Sequence, residues 1–246
     1  FCEKPIDLSL NRIRQCYNRI KKNDLPIQIG FNRRFDPSHA KIKNLLKENK
    51  IGQLNQVIIT SRDPEMPSEE YYKSAGGLFR DMTIHDFDLA RFYLDEDPIE
   101  IFASAQKLID PNMMNKISDH DTAMFILTCK DGKQCFINNS RTAVYGYDQR
   151  VELLGSNGML QSGNHNLDQT KIFKREGSET SSPYLYFFIE RYQEAFSLQL
   201  KSFIRSVTQN SSTDVGFEDG YKALVIAEAA YKSLEERKSI SINYDW

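Results

Sequence analysis

The chain has 246 residues, 40% of them hydrophobic, and a formal charge of −2 from 32 Lys and Arg against 34 Asp and Glu. That length suits one large domain or two small ones with ample core-forming material, and the charge balance excludes the basic footprint of a nucleic-acid binder. No apolar run approaches the roughly 18 residues of a membrane span. Cys2, Cys16, Cys129 and Cys135 make neither a CxxC pair nor a zinc spacing, which predicts reduced thiols in a cytoplasmic protein.

In chain order, Phe1-Cys2-Glu3-Lys4-Pro5 reads as the end of a buried strand, so an upstream part of the protein is expected to be missing. Asp7 or Ser9 is placed to cap a helix running to about Lys22, with Leu10, Ile13, Tyr17 and Ile20 at helical spacing. Asn23-Asp24-Leu25-Pro26 breaks it, and Ile27–Phe31 reads as a short buried strand. Strand, helix, strand predicts a parallel α/β unit. Pro37 to Asn49 follows as a helix with Ala40, Ile42 and Leu45 inward, then Val57–Ser61 as a strand and a polar loop containing Pro64, Pro67 and Ser68.

After a helix over Asp81–Tyr93, strands are expected at Glu100–Lys107, Thr122–Cys129, Gln134–Thr142, Gln149–Leu154 and Lys171–Phe173. Lys130-Asp131-Gly132-Lys133 and Gly155-Ser156-Asn157-Gly158 read as turns between them, the first with the Asp-Gly step of tight hairpins. Two helices close the chain. One runs from Leu185 to about Val207, with Phe188, Tyr192, Phe196, Leu200 and Phe203 expected in the core; the other runs from Phe217 to about Glu236, before a last strand at Ser239–Asn243. The pattern is the tail of a parallel α/β domain joined, near Phe31–Asn55, to an α+β domain on an open, largely antiparallel β-sheet covered by helices.

The chemistry centres on Gly76–Phe92, where a glycine pair precedes the helix. Asp81 and His85 stand four apart, on one helical face. A carboxylate that orients an imidazole is a workable acid/base unit, although the spacing alone better describes a surface pair on an amphipathic helix. Lys4 stands at the carboxyl end of a strand, where ligands of parallel α/β sheets bind. There its ammonium would meet a substrate hydroxyl and the negative charge developing on it. His39 is expected on a surface helix, His120 before a strand and His165 in a polar loop. None has a partner at metal-ligand spacing, so no metal site is expected.

Glu3-Lys4-Pro5, Gly30-Phe31-Asn32-Arg33-Arg34-Phe35-Asp36-Pro37 and the Asp81-x-x-x-His85 element together resemble the glucose–fructose oxidoreductase/inositol dehydrogenase (Gfo/Idh/MocA) family. The resemblance extends over essentially the whole chain. Ser61-Arg62-Asp63-Pro64, the Gly76–Asp88 block, Tyr145-Gly146-Tyr147-Asp148 and Phe187–Tyr192 look closest to its myo-inositol 2-dehydrogenase branch. The resemblance implies hydride transfer between a cyclic polyol and NAD (or NADP). It makes Lys4, Asp81 and His85 the catalytic set, with His85 as the acid/base, and Arg34, Asp63, Thr83 and Tyr147 the substrate-binding residues. Glu3, Lys4 and Pro5 then border the cofactor. It also implies that residues 1–31 are a remnant of the NAD(P)-binding Rossmann domain and 32–246 a substrate-binding and oligomerisation domain, since no GxGxxG occurs. A homo-oligomer, dimer or tetramer, through the open sheet is implied, with a non-catalytic assembly module as the alternative function.

Overall fold

The computed structural model describes residues 1–23 and 25–245; of the break expected at Asn23-Asp24-Leu25-Pro26, Asp24 lies outside the described residues. The strands are β1 (Leu54–Arg62), β2 (Glu100–Gln106), β3 (Thr122–Thr128), β4 (Gln134–Ser140), β5 (Asp148–Gly155), β6 (Gly158–Ser162), β7 (Lys171–Lys174), β8 (Gly177–Ser181) and β9 (Ile240–Ser241). All but β7 and β8 join one seven-stranded sheet in the order β6-β5-β1-β4-β3-β2-β9. Its pairings are antiparallel except that of β1 with β4, which is parallel and sets Arg62 opposite Ser140. The strand expected at Lys171–Phe173 is present but pairs only with β8, as a separate hairpin.

The helices are α1 (Leu10–Asn23), α2 (Pro37–Lys47), α3 (Glu69–Ala75), α4 (Leu78–Asp81), α5 (Thr83–Leu94), α6 (Pro111–Ile117), α7 (Phe188–Arg191), α8 (Gln193–Gln209) and α9 (Phe217–Glu236), with a 3-10 turn at Asn32–Phe35. Alternation puts Ile101, Ala103, Ala105, Phe125 and Ile137 on the sheet face that α5 and α9 cover. There Phe125 meets Phe79 and Phe87 edge-on, with ring centroids 4.8 and 5.2 Å apart. Such pairs are worth about 0.5–1.5 kcal/mol each beyond their buried area. On the other face Ile58, Phe102, Met124 and Ile126 are exposed.

At the start of the chain Cys2 and Ile29 form a parallel bridge, Cys2 N donating to Gln28 O (3.0 Å) and Gly30 N to Cys2 O (2.8 Å). The strand–helix–strand order is thus present, with α1 between two segments that share a single bridge. Two short helices were not anticipated from the sequence. The Ser68 side chain accepts from Tyr71 N at the start of α3, and Asp110 accepts from Met113 N at the start of α6, with Pro111 in the first turn.

Two expectations are overturned. The aromatic stripe near the C-terminus is not core. The helix is interrupted at Tyr192, and α8 buries Ala195, Gln199, Ser202 and Ser206 instead, small and polar side chains that allow close approach to the 3-10 turn. Of the stripe only Tyr192 is buried; Phe188 and Leu200 are exposed. His39, expected at the surface, is 1% exposed. Its Nδ1 is 2.7 Å from the Tyr93 hydroxyl, and its Nε2 is buried with no partner.

Burial, only partly countered by Asp36, pushes the His39 pKa down to about 4. An unfolded histidine takes up a proton below about 6.5 while this one stays neutral, so its contribution is full above that pH and is lost as pH falls toward 4. In urea unfolding from pH 7 to pH 4, His39→Asn should lose about 3 kcal/mol less stability than the wild type. Equal losses would remove this assignment.

Candidate active site

The parallel pairing of β1 with β4 brings two strand ends to one edge of the sheet. Because Arg62 is opposite Ser140, the next residues, Asp63 and Arg141, emerge side by side, with Arg141 Nη1 3.3 Å from Asp63 Oδ2. Opposite them the chain turns through Gly76 and Gly77 at φ +84° and +90°, values that favour glycine. A Cβ at Gly77 would lie 2.4 Å from the Tyr231 hydroxyl. The Asp119 carboxylate then accepts Leu78 N at 3.1 Å and starts α4.

The helix expected from Asp81 onward is broken at Met82. Asp81 ends α4, Thr83 begins α5, and His85 N bonds to Met82 O (3.3 Å) instead of Asp81 O. Asp81 and His85 therefore belong to successive segments, and no hydrogen bond joins their side chains. Three other residues take the carboxylate. Oδ1 accepts from the Tyr71 hydroxyl (2.7 Å) and Lys4 Nζ (3.2 Å), and Oδ2 from Arg141 Nη2 (2.8 Å). Lys4 Nζ also reaches Asp81 O at 2.6 Å. Burial alone would raise the Asp81 pKa, but the charges of Lys4 and Arg141 reverse that and hold it below the ordinary carboxylate range.

His85 packs edge-on against Phe31, with ring centroids 5.9 Å apart. Its Nδ1 is buried without a partner, and the side chain borders the cleft. Burial, reinforced by the charges of Lys4 and Arg33, keeps its pKa well below 6.5. At neutral pH the ring is therefore uncharged and retains a lone pair that accepts a proton. Asp63 is shifted the other way. Burial raises it to about 6, and Arg141 and Arg33 pull it back only in part.

Glu3, Lys4, Pro5, Asp63, Asp81, His85 and Tyr147 all line one cleft of about 1180 Å³. The Lys4–Pro5 peptide is cis. Two of the expected residues lie elsewhere. Arg34 turns away to Asp88 (2.8 and 2.5 Å) and Asp219 (2.9 Å), and borders a different recess, because the buried Asp88 requires a cation. Thr83 is fully buried and donates to Asn139 Oδ1 at 2.6 Å. Its hydroxyl belongs to a network beneath the cleft, in which Asn139 Nδ2 also bonds Asp86 Oδ2 (2.8 Å).

Arg33, Arg141 and Tyr71 also line the cleft and were missed. Arg33 pairs with Asp86 and reaches Ser61 Oγ at 3.1 Å. The 3-10 turn sends the adjacent arginines in opposite directions, and nothing in their sequence distinguishes them. Arg141 gave no usable signal, since the strand read from the sequence runs through it to Thr142 and ends at Ser140 only in the structure. Away from the cleft, Glu96, Cys129 and Asp131 come within metal-ligand reach of one another. Lys133 Nζ already stands 3.4 and 3.1 Å from the two carboxylates, and burial pushes the Cys129 thiol up to about 12, so these residues form an ion-pair cluster.

Known proteins share this sequence and fold. The model for the GFO/IDH/MocA C-terminal domain matches residues 39–161. The chain is 42% identical over 242 residues to an inositol 2-dehydrogenase of Rhizobium meliloti, covering 98% of this chain and 73% of that protein. Its fold is similar to a myo-inositol dehydrogenase from Corynebacterium glutamicum (TM-score 0.94, 37% identity, 98% of this chain and 72% of that one). It is also similar to a scyllo-inositol dehydrogenase from Lactobacillus casei solved with NAD(H) and scyllo-inositol (TM-score 0.88, 27% identity, 97% and 72%). The chain is a member of the Gfo/Idh/MocA family.

Proposed function

We propose that the chain forms the polyol site of a nicotinamide-dependent inositol 2-dehydrogenase, oxidising one ring hydroxyl of a cyclic polyol, myo-inositol by preference, to the ketone. The observation that carries this reading is the convergence of a lysine, an uncharged histidine, one buried carboxylate and one half-buried carboxylate on one cleft. Residues 1–31 act as the edge of the cofactor domain and 32–246 as the substrate and assembly domain. The reactive end of the cofactor fits the residues present. Lys4 offers a donor, Pro5 and Met82 offer apolar surface, and His85 opens on the same cleft. Glu3, Lys4 and Pro5 would hold it, and NAD or NADP supplies the hydride acceptor when bound.

The chain's own residues divide the remaining work. Lys4 hydrogen-bonds the reacting hydroxyl and stabilises the negative charge that develops on its oxygen. His85, through the ring nitrogen left to the cleft, takes the hydroxyl proton. Nδ1 carries the other ring hydrogen throughout; burial and the charges of Lys4 and Arg33 disfavour the imidazolium so formed, so the proton is readily passed on. Asp81 holds the Lys4 ammonium in place. Asp63, Tyr147 and Arg33 meet the other ring hydroxyls, which need fixed partners because buried polar groups left unpaired are costly. Arg34 and Thr83 act from outside the cleft, by anchoring Asp88 and Asn139.

In the complete enzyme His85→Ala should lower turnover about 10²–10⁴-fold, the usual loss on removing a general base. Steady-state oxidation of myo-inositol measures this, and unchanged turnover would end the assignment.

The exposed sheet face supports self-association. Ile58, Phe102, Met124, Ile126, Leu154 and Met159 leave an apolar surface that monomers seldom expose, and a second copy set against it by a two-fold axis gives a dimer, or a tetramer when repeated. Substituting Met124→Lys together with Ile126→Lys should reduce the mass measured by light scattering. A mass equal to the wild type's would exclude this face as the interface.

A further inference from the structure

Two carboxylates, Asp63 and Asp81, stand in one cleft, and both are largely removed from water, with side chains 14% and 9% exposed. Placed together without a cation between them, such a pair cannot both remain ionised. One guanidinium lies between them. Arg141 follows the last residue of β4, is 2% exposed, and its backbone N donates to Asp121 O at 2.8 Å. Its Nη2 meets Asp81 Oδ2 (2.8 Å) and its Nη1 meets Asp63 Oδ2 (3.3 Å). The Tyr72 ring lies under it at 5.4 Å, and its Nε is buried without an acceptor. Both of its bonded nitrogens are therefore committed to the two carboxylates.

The two acids are left in different states. Asp81 has both oxygens occupied, by Lys4, Tyr71 and Arg141. Asp63 is bonded through Oδ2 alone, so among the described residues its Oδ1 has no partner and remains for a ligand. We propose that Arg141 is a positioning residue for polyol binding: by bridging the two carboxylates it lets both stay ionised, so that Asp81 fixes the Lys4 ammonium while Asp63 accepts a hydrogen bond from a substrate hydroxyl. This rests on the reading of the cleft as a polyol site. Lysine does not substitute well here, because a single ammonium lacks the planar fork that reaches two acceptors at once.

The groups facing Asp63 are Arg141 after β4, Arg33 in the 3-10 turn, Asp81 at the end of α4, Tyr71 and Tyr72 on α3 and Tyr147 before β5. Of the cations, Arg141 is the one bonded to it. Removing Arg141 takes away the nearest positive charge and leaves Asp81, so the proton on Asp63 is held to higher pH.

The test compares the wild-type holoenzyme with Arg141→Met and Arg141→Lys, measuring kcat and KM for myo-inositol from pH 5 to 9. Arg141→Met should raise KM about 10- to 100-fold, the scale of one charge-assisted hydrogen bond, and move the acid limb of kcat/KM to higher pH. Arg141→Lys should leave the limb between the wild-type and Met positions, still above the wild type's, while KM stays raised. A Met variant with wild-type KM and acid limb, or one that loses kcat alone, overturns the proposal. The Asp63 carboxyl is also titrated by carbon-13 NMR in the wild-type and Lys proteins without substrate or cofactor. A higher pKa in the Lys protein supports the bridge and an unchanged one overturns it, even if the Met variant does not fold. This readout is independent of turnover. A shifted Asp63 titration in an enzyme that oxidises no polyol would overturn the substrate reading and retain the bridge.

Discussion

Burying carboxylates on the Asp81–Asp88 segment is the constraint that the rest of the site depends on. Asp81, Asp86 and Asp88 fall within eight residues of α4 and α5, with side chains 9%, 0% and 2% exposed. A buried charge is tolerated only with a partner, and removing that partner costs about 3–5 kcal/mol. Each acid is met by a cation from elsewhere: Lys4 and Arg141 at Asp81, Arg33 at Asp86 and Arg34 at Asp88. These pairings tie the segment to the first residues of the chain, to the 3-10 turn and to the sheet. Apolar packing of Phe79 and Phe87 seats the segment on the core, and the ion pairs set its orientation.

The same pairings divide the labour within the cleft. A carboxylate held by Lys4, Tyr71 and Arg141 is not free to partner His85, so the imidazole stands alone, uncharged, between Phe31 and the cleft. In the proposed mechanism this separates two tasks that an Asp–His dyad would combine: one acid organises the positive charge, and the histidine handles the proton.

Much of this was legible in the sequence. Strand alternation gave the sheet, and Phe217–Glu236 was bounded correctly because its amphipathic pattern runs unbroken from an acidic first turn to a left-handed cap at Arg237. Lys4, Asp63, Asp81, His85 and Tyr147 were expected in one site and line one cleft, while their roles rest on the resemblance and on the tests above. What was illegible depended on side-chain direction. A 3-10 turn decides which of Arg33 and Arg34 faces the cleft. A break at Met82 decides whether Asp81 meets His85, and no residue type announces it. The C-terminal aromatic stripe misled because α8 packs by its small side chains, a choice made by its neighbour and not by hydrophobicity.

The single parallel pairing in the main sheet has a consequence for how such a site can vary. Asp63 and Arg141 are adjacent because β1 and β4 run in the same direction with Arg62 opposite Ser140, so their spacing is written into backbone hydrogen bonds. The segment from Pro64 to Gly77, which carries Tyr71, is free of that register. A loop exchange there that keeps the Tyr71 hydroxyl on Asp81 would reshape the mouth of the cleft and leave the Asp63–Arg141 pair at its floor. In this architecture the mouth of the cleft and the charge pair at its floor are separately editable.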